Sequence, residues 1–223
     1  MRKTLEFLKK LERNNSRIWF QENKAQYEQS YTEMIKFAED VSCELSLYDY
    51  LEPISPKKSL FRIYRDVRFG KDKTPYKTHW GGFLKREGAE NRGGYYYQVS
   101  PKGSYVIGGF FGPSKEDLML IRKHLAQDSS ELRKLIKSKT FSAFFGTLKG
   151  SQLKTAPRGF DKDHPDVDLL RYKQFMVRHD FTSEEVTSKD FSKTVAKAFH
   201  QMRPFFDYMS ELLTTDLNGR SLL

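Results

Sequence analysis

Basic side chains are densely grouped in the stretch RIYRDVRFGKDKTPYKTH, residues 62–79. A guanidinium group binds phosphate or carboxylate through two parallel hydrogen bonds, a geometry that the point charge of lysine does not reproduce. The cations outnumber the carboxylates in this stretch, so it predicts a site for an anionic, phosphate-bearing ligand. The cations are Arg62, Arg65, Arg68, Lys71, Lys73 and Lys77, and the carboxylates are Asp66 and Asp72.

The charge of the whole chain favours the same class of ligand. The net charge is +10 over 223 residues, and residues 57–112 alone hold 12 basic and 4 acidic residues, a net charge of +8. A positive field concentrated in one region attracts nucleotides, phosphorylated metabolites or nucleic acid. An anionic small molecule is therefore the expected partner, and weak binding of nucleic acid is the second expectation.

Side-chain alternation assigns different roles to the basic residues. If residues 60–69 are extended, successive side chains point to opposite faces. Arg65 then lies among apolar residues, so we expect it to be the more buried arginine and to have an acidic or carbonyl partner. Asp66 is expected to orient arginines, whose charge should lower its pKa. The expected faces are Phe61, Ile63, Arg65, Val67 and Phe69 on one side, and Arg62, Tyr64, Asp66 and Arg68 on the other.

The residues after this segment, together with a second basic segment, complete the predicted site. Pro75 lacks an N–H and restricts the residue before it, so the loop should be ordered and should fix Lys73 and Tyr76. Within residues 154–173, His164 is expected to approach the same site. In a reaction, the arginines and Lys73 would stabilise developing negative charge. The predicted ligand-binding residues are Arg62, Arg65, Asp66, Arg68, Lys73, Tyr76, Lys77, Lys154 and Arg158, and the candidate catalytic residues are Tyr76, His79 and His164.

The sequence leaves two other interpretations open. In one, the protein binds nucleic acid without catalysis, the basic residues contact phosphates, and Tyr96 or Tyr97 stacks on a base. In the other, Asp66 pairs with two arginines, and the charged network is a structural lattice beneath a protein-interaction surface. The reaction type, if any, is open, because the chain has no nucleophile elbow, phosphate-binding loop, zinc spacing or dinucleotide fingerprint.

We expect neither a metal nor a cofactor. The stretch GFDKDHPDVD, residues 159–168, is rich in carboxylates but lacks the glycine and the closing glutamate of an EF-hand. Asp163, two residues before Pro165, instead favours the start of a short helix that runs through Leu170. Cys43 lies in a helical apolar pattern without a partner histidine, which predicts an ordinary buried residue.

Hydrophobic periodicity predicts an α+β fold in a single domain that spans residues 1–223. Apolar residues at intervals of three and four predict helices at residues 4–13 and from Trp19 to Leu45. Helices resume behind Ser114 and form the carboxy-terminal end, with a kink or restart at Pro204. Helices, then strands, then helices are typical of such a domain. The strands of a mainly antiparallel sheet are predicted at SLFRIYRDVRF, HWGGFLKRE, GGYYYQVS and SYVIGGFFG, and a further strand at RYKQFMVRHDF.

Four segments of the chain resemble a bacterial family of conserved hypothetical proteins, catalogued as domain of unknown function 2461. They are SLFRIYRDVRFGKDKTPYKTH, GGYYYQVSPKGSYVIGGFF, LKTAPRGFDKDHPDVDLLRYKQF and FLKKLERNNSRIWFQENKAQYE. The most specific signature is R-x-x-R-D-x-R-F followed by K-x-P-Y, matched by Arg62, Arg65, Asp66, Arg68, Phe69, Lys73, Pro75 and Tyr76. The resemblance spans nearly the whole chain and implies a single-domain unit. It supplies no activity, because the function of the family is unassigned.

The sequence predicts a soluble cytoplasmic protein with no membrane partner. A single cysteine excludes an intramolecular disulfide and fits a reducing compartment. The amino-terminal stretch MRKTLEFLKKLERNN is basic, but charged residues interrupt each apolar run. We therefore expect neither a signal peptide nor a membrane span.

Overall fold

The computed structural model describes residues 1–223, which form eleven helices and one sheet of four strands. The strands are β1 (Trp80–Lys85), β2 (Gly94–Val99), β3 (Ser104–Phe110) and β4 (Phe175–Phe181). The helices are α1 (Arg2–Arg13), α2 (Arg17–Glu22), α3 (Lys24–Leu45), α4 (Pro56–Ser59), α5 (Lys115–Gln127), α6 (Ser130–Lys137), α7 (Lys139–Phe145), α8 (Val167–Leu170), α9 (Ser183–Thr187), α10 (Phe191–His200) and α11 (Arg203–Thr214). The predicted α+β fold class is confirmed.

The sheet is antiparallel, and its strands lie side by side in chain order. On β2, Tyr95 and Tyr97 are buried at 0% and 1% exposure, whereas Tyr96 between them is half-buried. Tyr95 and Tyr97 therefore point into the core, and Tyr96 points to the opposite face of the sheet. The ring of Tyr97 crosses β1 at Gly82, where a Cβ atom would lie 2.3 Å from the tyrosine hydroxyl oxygen. Only glycine therefore leaves room for this ring.

The strand predicted at residues 59–69 is wrong, because this segment forms no strand of the sheet. It makes two isolated antiparallel bridges, Leu60 with Gly82 and Tyr64 with Tyr76. An unbroken ladder from the first bridge would place Tyr64 opposite Thr78, so the register shifts between the two bridges. The segment is consequently a connection held at two points, in which Leu60 and Ile63 are buried and most other side chains are exposed.

The chain divides into two compact units, each built from three segments of the sequence. The first unit is Met1–Leu84, Tyr96–Val106 and Asp180–Ala198. The second unit is Lys85–Tyr95, Ile107–His179 and Phe199–Leu223. Each unit therefore brings together residues that lie far apart in the sequence.

The first unit has an aromatic core between its amino-terminal helices and β1. The ring of Phe20 contacts those of Phe7 and Tyr27, and the ring of Tyr27 stacks against Trp80. The single helix predicted from Trp19 to Leu45 is in fact the two helices α2 and α3. Asn23 separates them, and its side-chain amide donates to the main-chain oxygen of Trp19 at 2.9 Å.

Cys43 on α3 is exposed, so its predicted burial is wrong. The buried residues nearest to it in the sequence are Val41 and Leu45, which lie two residues before and after it. Residues two apart on a helix point to different sides. Cys43 therefore faces away from the apolar stripe.

The second unit contains a buried cation that the sequence did not reveal. Arg86 is 1% exposed, and its guanidinium pairs with Asp207 at 2.9 Å. It also donates to Ser210 Oγ at 3.3 Å and lies 5.3 Å from the ring centre of Phe206. These contacts supply the counter-charge and hydrogen bonds that a buried guanidinium requires.

Helix boundaries near the carboxy-terminal half follow the predicted signals. Ser114 caps α5, because its hydroxyl oxygen accepts from the Asp117 N–H at 3.0 Å. Pro204 lies in the first turn of α11, which confirms the predicted restart after α10. None of the helices is both long enough and apolar enough to span a membrane.

Candidate functional site

Residues 62–79, here called the basic loop, fold back on themselves beside β1. The Arg65 N–H donates to Pro75 O at 2.9 Å, and the Lys77 N–H donates to Ile63 O at 2.7 Å. These bonds flank the bridge between Tyr64 and Tyr76. Main-chain hydrogen bonds within the basic loop therefore fix its conformation, in agreement with the prediction of an ordered loop.

Burial along the loop follows the predicted alternation in its middle and departs from it at its ends. Ile63 is 1% exposed, and Arg65 and Val67 are half-buried. Phe61 and Phe69 were expected on the packed face, but they are 47% and 94% exposed, so this part of the prediction is wrong. Both lie outside the residues joined by the two backbone bonds, and Phe61 is only partly covered, by the ring of Tyr96 and the ammonium group of Lys77.

Arg65 has the acidic partner that its position predicted. Its Nη1 donates to an Asp72 carboxylate oxygen and to the Thr74 hydroxyl. The side chain of Arg65 is 31% exposed, against 75% for Arg68, so the predicted order of burial is confirmed. Hydrogen bonds from Arg65 and then from Thr74 lower the pKa of Asp72 to about 2.

Asp66 orients one arginine, not two. Arg68 donates to its two carboxylate oxygens, from Nε at 3.0 Å and from Nη2 at 2.7 Å. These bonds lower the pKa of Asp66, with a smaller contribution from the charge of Arg62. Asp66 is thus a fixed anion and a poor proton acceptor, as expected.

The remaining cations of the basic loop differ in how they are held. Lys73 Nζ donates to Val67 O at 2.9 Å, and Lys77 Nζ donates to Arg62 O at 3.0 Å. Burial, and then the charge of Arg62, lower the pKa of Lys77. The side chains of Arg62 and Lys71 are exposed and make no hydrogen bond or ion pair. The loop therefore keeps a surplus of positive charge after its internal pairs are formed.

A cleft of about 430 Å³ opens beside the basic loop in the first unit. Three of its residues come from elsewhere and were missed by the sequence analysis, namely Glu12, Asn15 and Lys102. Asn15 holds the main chain of Tyr76 through bonds of 2.9 and 3.1 Å, and Lys102 forms an ion pair with Glu12. The cleft is lined by Glu12, Asn15, Arg65, Asp72, Thr74, Tyr76, Lys77, Thr78, His79 and Lys102.

Two of the candidate catalytic residues, Tyr76 and His79, line this cleft. Tyr76 is 6% exposed and stacks on Phe20 with ring centres 4.0 Å apart, and burial raises its pKa. Burial, followed by the charge of Lys77, lowers the pKa of His79. Neither the Tyr76 hydroxyl nor the His79 imidazole has a hydrogen-bond partner in the protein. The cleft therefore contains a phenol and a neutral imidazole whose polar atoms are unused.

The predicted residues of the second segment lie in the second unit. The two ring nitrogens of His164 are both used, since Nε2 lies 3.2 Å from Ala126 O and Nδ1 accepts from the Asp166 N–H at 3.0 Å. Lys154 and Arg158 are exposed and make no side-chain hydrogen bond or ion pair. Their approach to the basic loop remains a prediction.

The carboxylates of residues 159–168 serve local structure. Arg133 donates to Asp166 and to Asp168 at 2.6 Å each, and no group of three side chains here is arranged to hold a metal ion. The helix predicted to start at Asp163 begins later, since α8 is Val167–Leu170 with Asp166 before it. The Asp161 carboxylate accepts from the Asp163 N–H instead, which closes a turn.

The two tyrosines proposed for base stacking have different surroundings. Tyr97 is 1% exposed, so it has no face to offer a base, and that part of the nucleic-acid prediction is wrong. Tyr96 is half-buried, and its ring centre lies 6.0 Å from that of Phe61. Phe61, which was expected to pack inward, is the more accessible ring.

Comparison with known proteins identifies one relationship. No curated protein and no solved structure matches the chain. A family model described as conserved hypothetical protein, DUF2461, matches residues 3–208, a range that includes the basic loop and all residues of the cleft. The chain therefore belongs to the DUF2461 family of conserved hypothetical proteins.

Proposed function

We propose that the cleft beside the basic loop binds a small phosphate-bearing anion. Arg65, Lys77 and Lys102 bring three positive charges to its lining, against the two carboxylates of Glu12 and Asp72. A volume of about 430 Å³ lies within the range of small-molecule sites. We also propose that the protein is cytoplasmic, because its single cysteine fits a reducing compartment.

The observation that carries the proposal is the number of unused donors in the cleft. Lys77 Nζ has three N–H groups and gives one to Arg62 O. Arg65 bonds its loop partners through Nη1, so Nε and Nη2 are available as a fork for an anion. Such donors are strongest when they are held in place before the ligand arrives, which the Asp72 and Thr74 contacts achieve for Arg65.

Tyr76 and His79 are the groups that we propose for contact with the ligand and for any proton transfer. The phenol is protonated at neutral pH and donates a hydrogen bond, because burial raises its pKa. The neutral imidazole of His79 offers one donor and one acceptor. An anionic ligand would favour protonation of this imidazole, since opposite charges stabilise each other at short range.

A nucleic-acid-binding function is the second candidate, and the tip of the basic loop favours it. Phe69 is 94% exposed, and the guanidinium of Arg68 lies 5.7 Å from its ring centre. An exposed ring beside unpaired cations such as Lys71 suits stacking on an unpaired base and contact with phosphates. The structural-lattice interpretation accounts for the pairs of Arg65 and Arg68, but it leaves Arg62 and Lys71 without a role.

Thermal unfolding in the presence of phosphate compounds tests the first candidate. A ligand that binds only the folded state raises the melting temperature, so sugar phosphates or nucleotides at millimolar concentration should stabilise the wild-type protein. Lys77→Gln should lose this stabilisation. Lys197→Gln is a matched control, because Lys197 is an exposed, unpaired lysine on α10. Absence of stabilisation by every phosphate compound and by sulfate would contradict the proposal.

A further inference from the structure

An aromatic surface lies beside Lys77, one of the residues that line the cleft. The surface, here called the aromatic platform, consists of Phe61, Tyr96 and Tyr105. The ring centres of Phe61 and Tyr96 are 6.0 Å apart, and those of Tyr96 and Tyr105 are 6.1 Å apart. Phe61 is 47% exposed, so almost half of its surface is open to solvent.

The platform and the cleft are continuous through Lys77. This lysine lines the cleft, and its Nζ lies 5.6 Å from the centre of the Phe61 ring. The Phe61 N–H donates to Gly81 O at 2.9 Å, which fixes Phe61 beside the chain two residues beyond His79. A ligand that places its anion against Lys77 therefore has an aromatic ring within reach.

The side-chain amide of Gln98, which is hydrogen-bonded to two tyrosines, completes the aromatic platform. Gln98 Oε1 accepts from the hydroxyls of Tyr96 and Tyr105 at 3.3 and 3.2 Å. Burial raises the pKa of Tyr96, so its hydroxyl remains a donor at neutral pH. The Gln98 Nε2 group makes no hydrogen bond with the protein. Two amide N–H groups are thus oriented by the tyrosines and remain available to an acceptor on a ligand.

We propose that the aromatic platform binds the base of a nucleoside 5′-monophosphate whose phosphate occupies the cleft. The inference rests on the proposed function of the cleft. A base stacks on an aromatic ring through its flat face, and it presents carbonyl or ring-nitrogen acceptors at its edge. Phe61 supplies the ring, Gln98 supplies the donors, and Lys77 lies between the two subsites.

The occupant is a free nucleotide because the charged part of the site is a cleft of limited size. It holds about 430 Å³, and the Lys102–Glu12 ion pair lies in its wall. A single strand instead requires a positively charged groove that follows several successive phosphates. Sugar phosphates carry the same phosphate group as nucleotides, but they have no flat ring that could stack on Phe61.

Isothermal titration calorimetry with ribose 5-phosphate and the four common ribonucleoside 5′-monophosphates tests the inference. At least one nucleotide should bind the wild-type protein about tenfold or more tightly than ribose 5-phosphate, the size expected for one stacked base. Phe61→Leu should abolish this preference and leave the affinity for ribose 5-phosphate within about twofold. Phe61→Tyr should retain the preference, because it keeps the ring.

Tyr50→Leu is the matched control, since it removes an aromatic ring that is 75% exposed and outside the platform. It should leave both affinities unchanged. Equal binding of ribose 5-phosphate and all nucleotides would overturn the inference and leave the proposed function intact. Failure of both kinds of ligand to bind would overturn both. Much tighter binding of a single-stranded decanucleotide than of any monophosphate would overturn the assignment to a free nucleotide.

Discussion

Arg65 and Asp72 form a hydrogen-bonded ion pair that links the two sides of the basic loop. The same guanidinium nitrogen donates to Thr74, whose hydroxyl in turn donates to Asp72 at 2.8 Å. The pair is partly open to water, with side-chain exposures of 31% and 59%. Its role is accordingly to hold the geometry of the loop more than to stabilise the whole fold.

We expect Arg65→Ala to destabilise the protein by about 1 kcal/mol, since partly exposed ion pairs contribute up to about this much. This is less than the cost of breaking a fully buried pair, because Asp72 can be solvated after the substitution. Arg62→Ala and Arg68→Ala, which change exposed side chains, should leave the free energy of unfolding close to that of the wild-type protein. Urea denaturation of the three variants measures these differences. Equal midpoints for all three would contradict the distinct role of Arg65.

Arg86 is the arginine whose loss should be most costly to the fold. Arg86→Ala removes a buried side chain, leaves hydrogen-bond acceptors without their donor and removes one of the two arginines paired with Asp207, which is itself 52% exposed. We expect a loss of about 2–4 kcal/mol in the free energy of unfolding, less than for a pair with both partners buried. Arg158→Ala in the same unit is the control, because Arg158 is exposed and unpaired. Similar urea midpoints for the two variants would show that the Arg86 contacts stabilise little.

The alternation of more buried and more exposed side chains in the basic loop could be predicted, because it is a local property of an extended chain. Ile63 is buried and Arg65 is half-buried for the reason that the sequence indicates. The exposure of Phe69 could not be predicted, since burial depends on whether another element covers the face it occupies. Asn15 and Lys102 reach the cleft from turns that are distant in the sequence, and no motif marks such residues.

Arg86 was missed for a different reason. Arginine is rarely fully buried, so composition alone argues against finding one in a core. Its partners Asp207 and Ser210 are more than a hundred residues away in the chain. The break at Asn23 between α2 and α3 was missed because the apolar spacing continues across it. The hydrogen bond from the Asn23 side chain to Trp19 O, which ends α2, does not alter that spacing.

The pKa of His79 provides a test of the cleft that does not depend on catalysis. Burial and the charge of Lys77 lower this pKa from its ordinary value of 6.5, so the unfolded chain binds the proton more tightly than the folded protein. The contribution of His79 to stability is therefore fully present above about pH 6.5 and is lost as the pH falls through the folded pKa. His79→Gln should remove this component of the pH dependence.

Nuclear magnetic resonance titration of the His79 ring measures the effect directly. The free protein should give a pKa below 6.5, and saturating phosphate ligand should raise it, because a bound anion favours the imidazolium form. Arg65, Lys77 and Lys102 oppose protonation in the cleft, while Glu12 and Asp72 favour it. An unchanged His79 pKa under saturating ligand would place the anion away from this residue.

Salt dependence separates the two candidate functions. A strand that contacts six or more phosphates releases counterions, and its affinity should fall by about a thousandfold or more between roughly 50 and 200 mM salt. A single anion in a cleft displaces fewer counterions and is screened less. We expect weak binding of single-stranded DNA that disappears near physiological salt, because Asp66 and Asp72 neutralise part of the positive charge of the basic loop.

Fluorescence anisotropy with labelled single-stranded DNA, duplex DNA and RNA across this salt range measures the dependence. Phe69→Leu should weaken the residual binding of single strands at low salt, since it removes the exposed ring at the tip of the loop. The same substitution should leave the affinity for small phosphate compounds unchanged, because Phe69 does not line the cleft. Submicromolar binding that persists at physiological salt and is lost on joint substitution of Arg62 and Arg68 would instead make nucleic acid the principal ligand.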